Sequence, residues 1–426
     1  MPPQRTLRVY GQSSQSSTSP PSSSPPSSSP PSSSPNSSDS AAQGQETTLL
    51  SPGTKEWKEL VQATTEKNPK NMVLQRYTDR ARWIQRGMHT WVSIETVFEV
   101  GLFKSGWFEP QESQTVQREP PPGLAKMEEA DINIHYQVFL DILGHLPALP
   151  NHLEYYNVYD PGALRDLIKC LEASASSGRN ADTGKLRDGI VALVPEHDFD
   201  LVDPIPTHTD KTGRAFVHST LGYLLLPIRY LAAYKKDPVR TLSNANNKKL
   251  NIVAKNWPIF LYDMSMVDYN DKWKGLLRGY LLVRVYRFVF TGPSSALTGK
   301  RKTSKKPNAD IHGLKQATGG TIAYAACQTR HAISSKAIWG VKDGKFNYEE
   351  FFNLIVNLFA QEDDPWVKET LEWWNQQVFG ERDDEDSDSD NPEDEETDSE
   401  EDFKAQRQER IRQAAEAAAA AAEASA

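Results

Sequence analysis

Low-complexity sequence near both ends of the 426-residue chain confines a folded core to its middle. Residues 12–40 are almost entirely Ser and Pro, and residues 381–402 contain fifteen Asp or Glu and one Arg. Neither stretch has the apolar side chains whose burial offsets the entropy cost of ordering a backbone. We therefore predict a disordered Ser/Pro-rich arm over 1–53, a globular domain over 54–380 and a disordered acidic tail over 381–402.

The last segment, residues 403–426, is Ala-rich and has several Lys and Arg in its first half. Its helix propensity is high, but an isolated helix of this length is only marginally stable in water, so we predict a marginal helix. The formal net charge of −9 comes from the acidic tail, and the rest of the chain is net positive. The tail either keeps the protein soluble or competes with an anionic ligand for the basic body, and the sequence leaves both roles open.

No secretory or membrane-spanning segment is predicted. The N-terminus, Met-Pro-Pro-Gln-Arg, lacks the apolar stretch of a signal peptide, and the most apolar windows are shorter than a membrane span and interrupted by Pro or Arg. The chain has two cysteines, Cys170 and Cys327, which excludes a disulfide framework and a multi-cysteine zinc site. We expect an intracellular protein without a membrane partner.

Helical periodicity dominates residues 54–380. Apolar residues recur at helical spacing over 132–143, over 164–171, where the helix should end before Ser176-Ser177-Gly178, and from Tyr348 onward. Asp364-Pro365 supplies an N-cap and a first-turn proline for one more helix, which we expect to pack antiparallel to the helix before it. Residues 281–290 are rich in Val, Tyr and Phe and suit a buried helix or a short strand. The predicted fold class is an all-α or α-dominant globular domain, with a short strand over 281–290 left open.

Six short motifs occur in order between residues 221 and 380. They are Leu224-Leu225-Leu226-Pro227, Trp257-Pro258-Ile259-Phe260-Leu261-Tyr262, Gly275-Leu276-Leu277, Phe290-Thr291-Gly292-Pro293-Ser294-Ser295, Ile322-Ala323-Tyr324-Ala325, and Trp373-Trp374-Asn375 followed by Phe379-Gly380. Their order and spacing resemble a protein family of unknown function that is expanded in mushroom-forming (basidiomycete) fungi. That family has no established activity, so the resemblance implies no functional residue.

Residues 343–351 are similar to the second half of a calcium-binding EF-hand loop, including its central Gly and final Glu. Counting back along that loop places Trp339 and Val341 where two carboxylate ligands would be needed. Neither side chain can bind a hard cation. We predict a turn at Asp343-Gly344 before a helix that begins near Tyr348, and no metal.

Histidines and aspartates are dense between residues 197 and 218, which suits a metal or an acid/base centre: His197, Asp198, Asp200, Asp203, His208, Asp210 and His218. No known metal-ligand spacing occurs among them, and Pro204 and Pro206 favour a solvated loop. Cys327 and His331 are four residues apart on a predicted helix and could form a thiolate–base pair. Their Ala and Tyr neighbours favour simple packing instead. No cofactor and no catalytic residue is predicted.

Residues 272–309 contain ten Lys or Arg and no acid. The run ends in a cluster typical of a nuclear-import signal or of a nucleic-acid contact: Lys300, Arg301, Lys302, Lys305 and Lys306. A solvated loop without a partner is an equally good interpretation. Trp273, Tyr280 and Tyr286 lie nearby, but we expect them to face the core rather than to stack on bases.

The leading interpretation is a non-enzymatic α-helical interaction module acting in the nucleus. We expect a protein partner, with nucleic acid as the alternative, and the oligomeric state stays open. The second interpretation is an enzyme or accessory factor of a mobile genetic element. That function would need a carboxylate or metal site, which folding could assemble near Asp263, Asp268 and Asp310.

Overall fold

A computed structural model describes residues 55–66, 70–106, 120–150, 153, 160–195, 207, 209–268, 270–300 and 306–380. The predicted Ser/Pro-rich arm, acidic tail and Ala-rich helix lie outside these residues. Helices make up most of what is described, and the predicted α-dominant fold class is confirmed. Among the described helices, none is both long and apolar enough to cross a membrane.

The α-helices in this part of the chain are α1 Lys55–Thr65, α2 Met72–Ala81, α3 Ile94–Lys104, α4 Glu129–His145, α5 Pro161–Leu193, α6 Ser219–Leu225, α7 Leu231–Lys236, α8 Pro238–Asn246, α9 Tyr280–Phe290, α10 Ser295–Thr298, α11 Asn308–Ile311, α12 Gly319–Ile333, α13 Tyr348–Leu358 and α14 Pro365–Phe379. A π-helical turn, Ile84–Met88, follows α2, and short 3-10 turns connect other elements. Two short strands, β1 Lys342–Asp343 and β2 Phe346–Asn347, pair antiparallel.

Residues 281–290 are helical, so the short strand that the sequence left open there is wrong. These residues belong to α9, in which only Tyr280, Arg284 and Arg287 are not buried, and these three recur at helical spacing. Tertiary packing overrides the strand preference of the Val, Tyr and Phe residues that left the segment ambiguous.

Two hydrophobic clusters fill the domain, and α5 contributes to both. The N-cluster contains buried residues of the four helices α1, α2, α3 and α4 and of the first half of α5, such as Leu167 and Leu171. The C-cluster joins the last turns of α5, at Leu186 and Ile190, with α6, α9, α12, α13 and α14. A small third cluster, centred on Leu231, lies beneath α7 and α8.

Helix α5 continues through the Ser/Gly-rich stretch at which we expected it to end. A Cβ atom on Gly178 would lie 2.6 Å from the carbonyl oxygen of Arg82, so the backbone after α2 crosses α5 at this point. The small residues therefore mark a close helix crossing rather than a helix end.

The predicted helix starts near the C-terminal end of the domain are confirmed. Gly344 has a φ of +61° in the turn between β1 and β2, and Asp364 caps α14 by accepting a hydrogen bond from the Trp366 N–H at 2.8 Å. Helix α13 packs mainly along α12, however, so the expected antiparallel pair of α13 and α14 is wrong. Packing partners depend on distant sequence that a local pattern does not contain.

A buried polar network connects the two large clusters. Arg86, in the π-helical turn, donates hydrogen bonds to both carboxylate oxygens of Asp182 on α5, at 2.6 and 2.7 Å. The Tyr324 hydroxyl, on α12, donates to the same carboxylate at 2.7 Å. Burial alone would lower the pKa of Arg86, but the charge and hydrogen bonds of Asp182 outweigh it and the pKa is raised. Arg86 therefore stays protonated inside the fold.

Candidate interaction surfaces

Two arginines of the basic stretch 272–309 are bound within the domain. The guanidinium of Arg284 donates to the carbonyl oxygen of Leu193, the last residue of α5, at 3.0 Å. Arg287 donates twice to the carbonyl oxygen of Gln377, in the last turn of α14, at 3.0 and 2.6 Å. Cations at helix C-termini satisfy unpaired carbonyls and interact favourably with the helix dipole. These arginines hold helices in place and are not presented to a partner.

Two further cations of this stretch form ion pairs. Lys274 Nζ lies 3.0 Å from Asp268 Oδ2, and Arg278 Nη2 lies 2.7 Å from Glu369 Oε1. The side chain of Arg278 is 11% exposed and lies over the Trp373 ring. Four of the ten basic residues therefore have hydrogen-bond or ion-pair partners within the domain. Counting basic residues in the sequence could not show this.

The basic segment, residues 300–306, is described only at its two ends. Lys300 and Lys306 are both exposed, whereas Arg301, Lys302 and Lys305 lie outside the described residues. Gly299 ends α10 with a φ of +75°, and Pro307 precedes α11. The segment thus begins and ends at the surface, between two short helices that are anchored in the domain.

Trp273 is exposed, so the prediction that it faces the core is wrong. Its side chain is 49% exposed, and its ring meets the Trp366 ring edge-on at 4.9 Å. It sits in a tight turn before α9, in which Asp271 Oδ1 accepts its N–H at 3.0 Å. Tyr286 is buried as predicted, and Tyr280 is half-buried. The neighbouring carboxylates make the Trp273 surface a poor platform for a polyanion.

A second basic surface was missed by the sequence analysis. We call residues 229–249, which include α7 and α8, the basic hairpin. Its cations are all exposed: Arg229, Lys235, Lys236, Arg240, Lys248 and Lys249. The acid among these residues is Asp237, whose Oδ1 caps α8 by accepting the Arg240 N–H at 2.9 Å. The sequence does hold a signal for this surface, since residues 229–249 contain six Lys or Arg and one acid. The cations are spaced along the segment and do not form one dense cluster like that of residues 300–306.

The basic hairpin is a fixed platform. Leu231 and Ala245 anchor its two helices in the small third cluster, and the Tyr230 hydroxyl accepts the Asn251 N–H at 3.1 Å. The chain turns after α8 through Lys248, whose φ is +59°, and the Lys249 N–H donates to Asn244 O at 2.9 Å. The cations therefore project from a backbone whose polar groups are satisfied locally.

Two other cations, Lys211 and Arg214, are buried and donate hydrogen bonds to carbonyl groups at the C-terminal end of α12. Lys211 is 4% exposed, and its Nζ donates to the carbonyl oxygen of His331 at 2.6 Å. Arg214 is fully buried and donates to the carbonyl oxygen of Ala332 at 2.6 Å. Burial, helped by the charge of Arg214, lowers the pKa of Lys211 to about 7. Both residues bind carbonyl groups at a helix C-terminus in the interior of the domain.

Cys327 and His331 are buried, as the packing interpretation predicted. Burial raises the pKa of the Cys327 thiol and lowers the pKa of His331 to about 3, so both groups are neutral at pH 7. The thiol points to the carbonyl oxygen of Tyr348 at 3.7 Å. A neutral thiol beside a neutral imidazole is not the thiolate–base pair that nucleophilic catalysis uses.

The other candidate ligand sets are dispersed or already engaged. Among the described residues, no group of three or more His, Cys, Asp or Glu is placed to hold a metal ion. Asp263 accepts a hydrogen bond from the Ser265 hydroxyl at 2.6 Å, and Asp343 lies 2.8 Å from Arg330. His218 caps α6, since its Nδ1 accepts the Thr220 N–H at 3.1 Å. Outside the described residues lie His197, Asp198, Asp200, Asp203 and His208.

Comparison with known proteins finds a match to one family model and indicates no activity. Residues 173–379 match the model of a family of unknown function (DUF6698). The match begins within α5, includes all the residues of that helix that enter the C-cluster, and ends at the last residue of α14. Both the basic hairpin and the basic segment fall inside it. No curated protein and no solved structure matches the chain.

Proposed function

We propose that this protein is a non-enzymatic α-helical interaction module that acts in the nucleus, and that a carrier protein delivers it there by binding the basic segment. One observation carries the proposal. Within the basic stretch 272–309, three arginines and the surface residue Lys274 already have partners within the domain, whereas Lys300 and Lys306 are exposed at the ends of the segment. Of the other six cations of this stretch, five fall within seven consecutive residues, and the sixth is the exposed Lys272.

The chemistry of the segment suits an acidic protein groove. Five Lys or Arg in seven residues form a short peptide whose side chains can pair with carboxylates on a carrier, as import signals do. Gly299 and Pro307 separate it from α10 and α11, so its occupation need not disturb the core. We also infer, from the six motifs between 221 and 380, that its relatives are the proteins expanded in mushroom-forming fungi.

The test compares two variants that remove the same charge. One replaces the five basic residues of the segment with Gln: Lys300, Arg301, Lys302, Lys305 and Lys306. The control replaces five cations of the basic hairpin with Gln: Lys235, Lys236, Arg240, Lys248 and Lys249. Each is fused to a reporter too large to diffuse through nuclear pores, and the nuclear fraction is measured by fluorescence. We expect a fall in the segment variant alone. If the segment variant accumulates like the wild type, the proposal is wrong.

A further inference from the structure

The basic hairpin carries six exposed cations that the proposed import function does not use. Between residues 211 and 262 the only acid is Asp237, and its carboxylate is occupied as the cap of α8. Of the cations in the same range, Lys211 and Arg214 are buried, and Lys255 forms an ion pair in which its Nζ lies 3.7 Å from Glu350 Oε1. The six on the hairpin are exposed and form no ion pair with a described residue. We propose that this surface binds the phosphate backbone of nucleic acid.

Helix stabilisation explains only part of this charge. Lys235 and Lys236 lie in the last turn of α7, and Lys248 and Lys249 follow the end of α8, where the helix dipole favours cations. Arg240 lies in the first turn of α8, where the same dipole disfavours a cation. A solvated helix face also normally mixes both signs of charge, since opposite charges three or four residues apart stabilise a helix. The excess of six exposed cations over one exposed acid, Asp237, is better explained by an anionic partner.

The neutral residues on the same surface also suit phosphate and sugar. Ser243, Asn246 and Asn247 are exposed beside the cations, and hydroxyl and amide groups of this kind make many of the backbone contacts in protein–nucleic acid complexes. Val239 is the exposed large apolar side chain of α8, which is too little apolar surface for insertion into a lipid bilayer. These features favour nucleic acid over a membrane surface.

Binding should depend little on base sequence. The two tyrosines of the hairpin are half-buried: Tyr230 lies under the Arg229 guanidinium at 5.1 Å, and Tyr234 packs on Tyr223 at 5.0 Å. Neither ring is free to stack on a base, which is how single-stranded sequence is usually gripped. The surface therefore offers cations and amides to the backbone, and its affinity should be governed by salt.

The experiment uses the full-length protein with a fluorescent mixed-sequence DNA duplex and an RNA strand of the same length, titrated over a range of KCl concentrations. The hairpin variant carries K235Q, K236Q, R240Q, K248Q and K249Q, and the segment variant K300Q, R301Q, K302Q, K305Q and K306Q is the control with equal charge. We expect the hairpin variant to bind at least about tenfold more weakly at low salt. The slope of log K against log salt should flatten by about four units, since each phosphate contact contributes nearly one. The control should keep most of the wild-type slope.

Other outcomes decide against the proposal. Equal losses in both variants would mean that net charge alone attracts the nucleic acid, and a loss confined to the control would move the site to the basic segment. No binding by the wild type, or binding only to phosphatidylserine vesicles, would overturn it. If thermal unfolding shows that the hairpin variant does not fold, the milder variant R229Q/R240Q replaces it, with an expected flattening of about two units. Nuclear import is measured separately, so its failure leaves this test intact.

Discussion

At the scale of single residues, two tryptophans near the α9–α14 contact differ in burial. Trp374 is fully buried, and its indole N–H donates to the carbonyl oxygen of Leu277 at 3.1 Å, whereas Trp273 is 49% exposed. We expect Trp374→Ala to lower the free energy of unfolding by about 3–5 kcal/mol through the cavity it leaves. Trp273→Ala should lower it by less than about 1 kcal/mol. Urea unfolding measures both values, and similar losses would show that the exposed turn is packed more tightly than described.

Lys211 should make stability depend on pH. Its pKa falls from 10.5 to about 7 in the folded protein, chiefly through burial, and Arg214, Arg187 and Arg330 add to the repulsion that Asp343 partly offsets. The unfolded chain therefore binds more protons between about pH 7 and 10.5, so this residue makes the fold more stable as the pH rises through that window.

Replacing Lys211 with Met removes this contribution. The free energy of unfolding of the wild type should rise relative to Lys211→Met by about 1–3 kcal/mol between pH 7 and pH 10. Other groups titrate equally in both proteins, so the difference isolates Lys211. A difference that stays constant with pH would show that the amine keeps its ordinary pKa.

Residue chemistry was predicted well where it is local. The cap at Asp364 and the turn at Gly344 follow from side-chain and backbone preferences that act within three residues. The burial of Trp273 was predicted wrongly, and no role was predicted for Arg284. The residues that contact these two side chains belong to α14 and α5, which are distant in the sequence. Whether a basic residue is presented to a partner is a property of the fold.

At the scale of elements, the crossing of α5 by the chain after α2 can be tested with two glycines of one helix. A Cβ on Gly178 would lie 2.6 Å from the Arg82 carbonyl oxygen, whereas a Cβ on Gly184 would meet nothing within 4 Å. Gly178→Ala should lower the melting temperature by several degrees, which corresponds to more than about 1 kcal/mol. Gly184→Ala should raise the free energy of unfolding by roughly 0.5–1 kcal/mol through helix propensity.

Calorimetry distinguishes the two glycine variants. If both stabilise the protein, α5 is not crossed at Gly178 and the helix is held apart from the π-helical turn. The sequence indicated helical period before this glycine, and because small residues are typical of helix ends, it predicted an end here. Only the approach of Arg82 shows why the helix continues here. In α9 the Val, Tyr and Phe content suited a strand as well as a helix, and only the packing of the segment in the C-cluster decides for the helix.

At the scale of the whole molecule, the acidic tail should oppose the basic hairpin. Residues 381–402 carry fifteen acids and one arginine, and they follow directly on α14. A linked polyanion competes with nucleic acid for the same cations at a high effective concentration. Deleting residues 381–402 should therefore strengthen nucleic-acid binding about tenfold at low salt, with a smaller gain at high salt because screening weakens the tail.

The control for the tail is a charge-neutral replacement of equal length, in which every Asp and Glu of 381–402 becomes Asn or Gln. It should bind like the deletion, since the effect is attributed to charge and not to chain length. Unchanged affinity in both proteins would assign the tail to solubility alone. The sequence predicted the acidic tail and the helical class from composition and periodicity. It did not predict that α5 is shared between two clusters, because that depends on how distant helices pack.

The central claim is that the basic hairpin, and not the basic segment, contacts nucleic acid. Acetylation of lysines in the wild-type protein, followed by mass spectrometry, tests it without any substitution. With a DNA duplex bound, Lys235, Lys236, Lys248 and Lys249 should be protected severalfold, while the exposed Lys272 and the segment lysines react at their free rate. Protection of the segment lysines with full reactivity on the hairpin would contradict the claim.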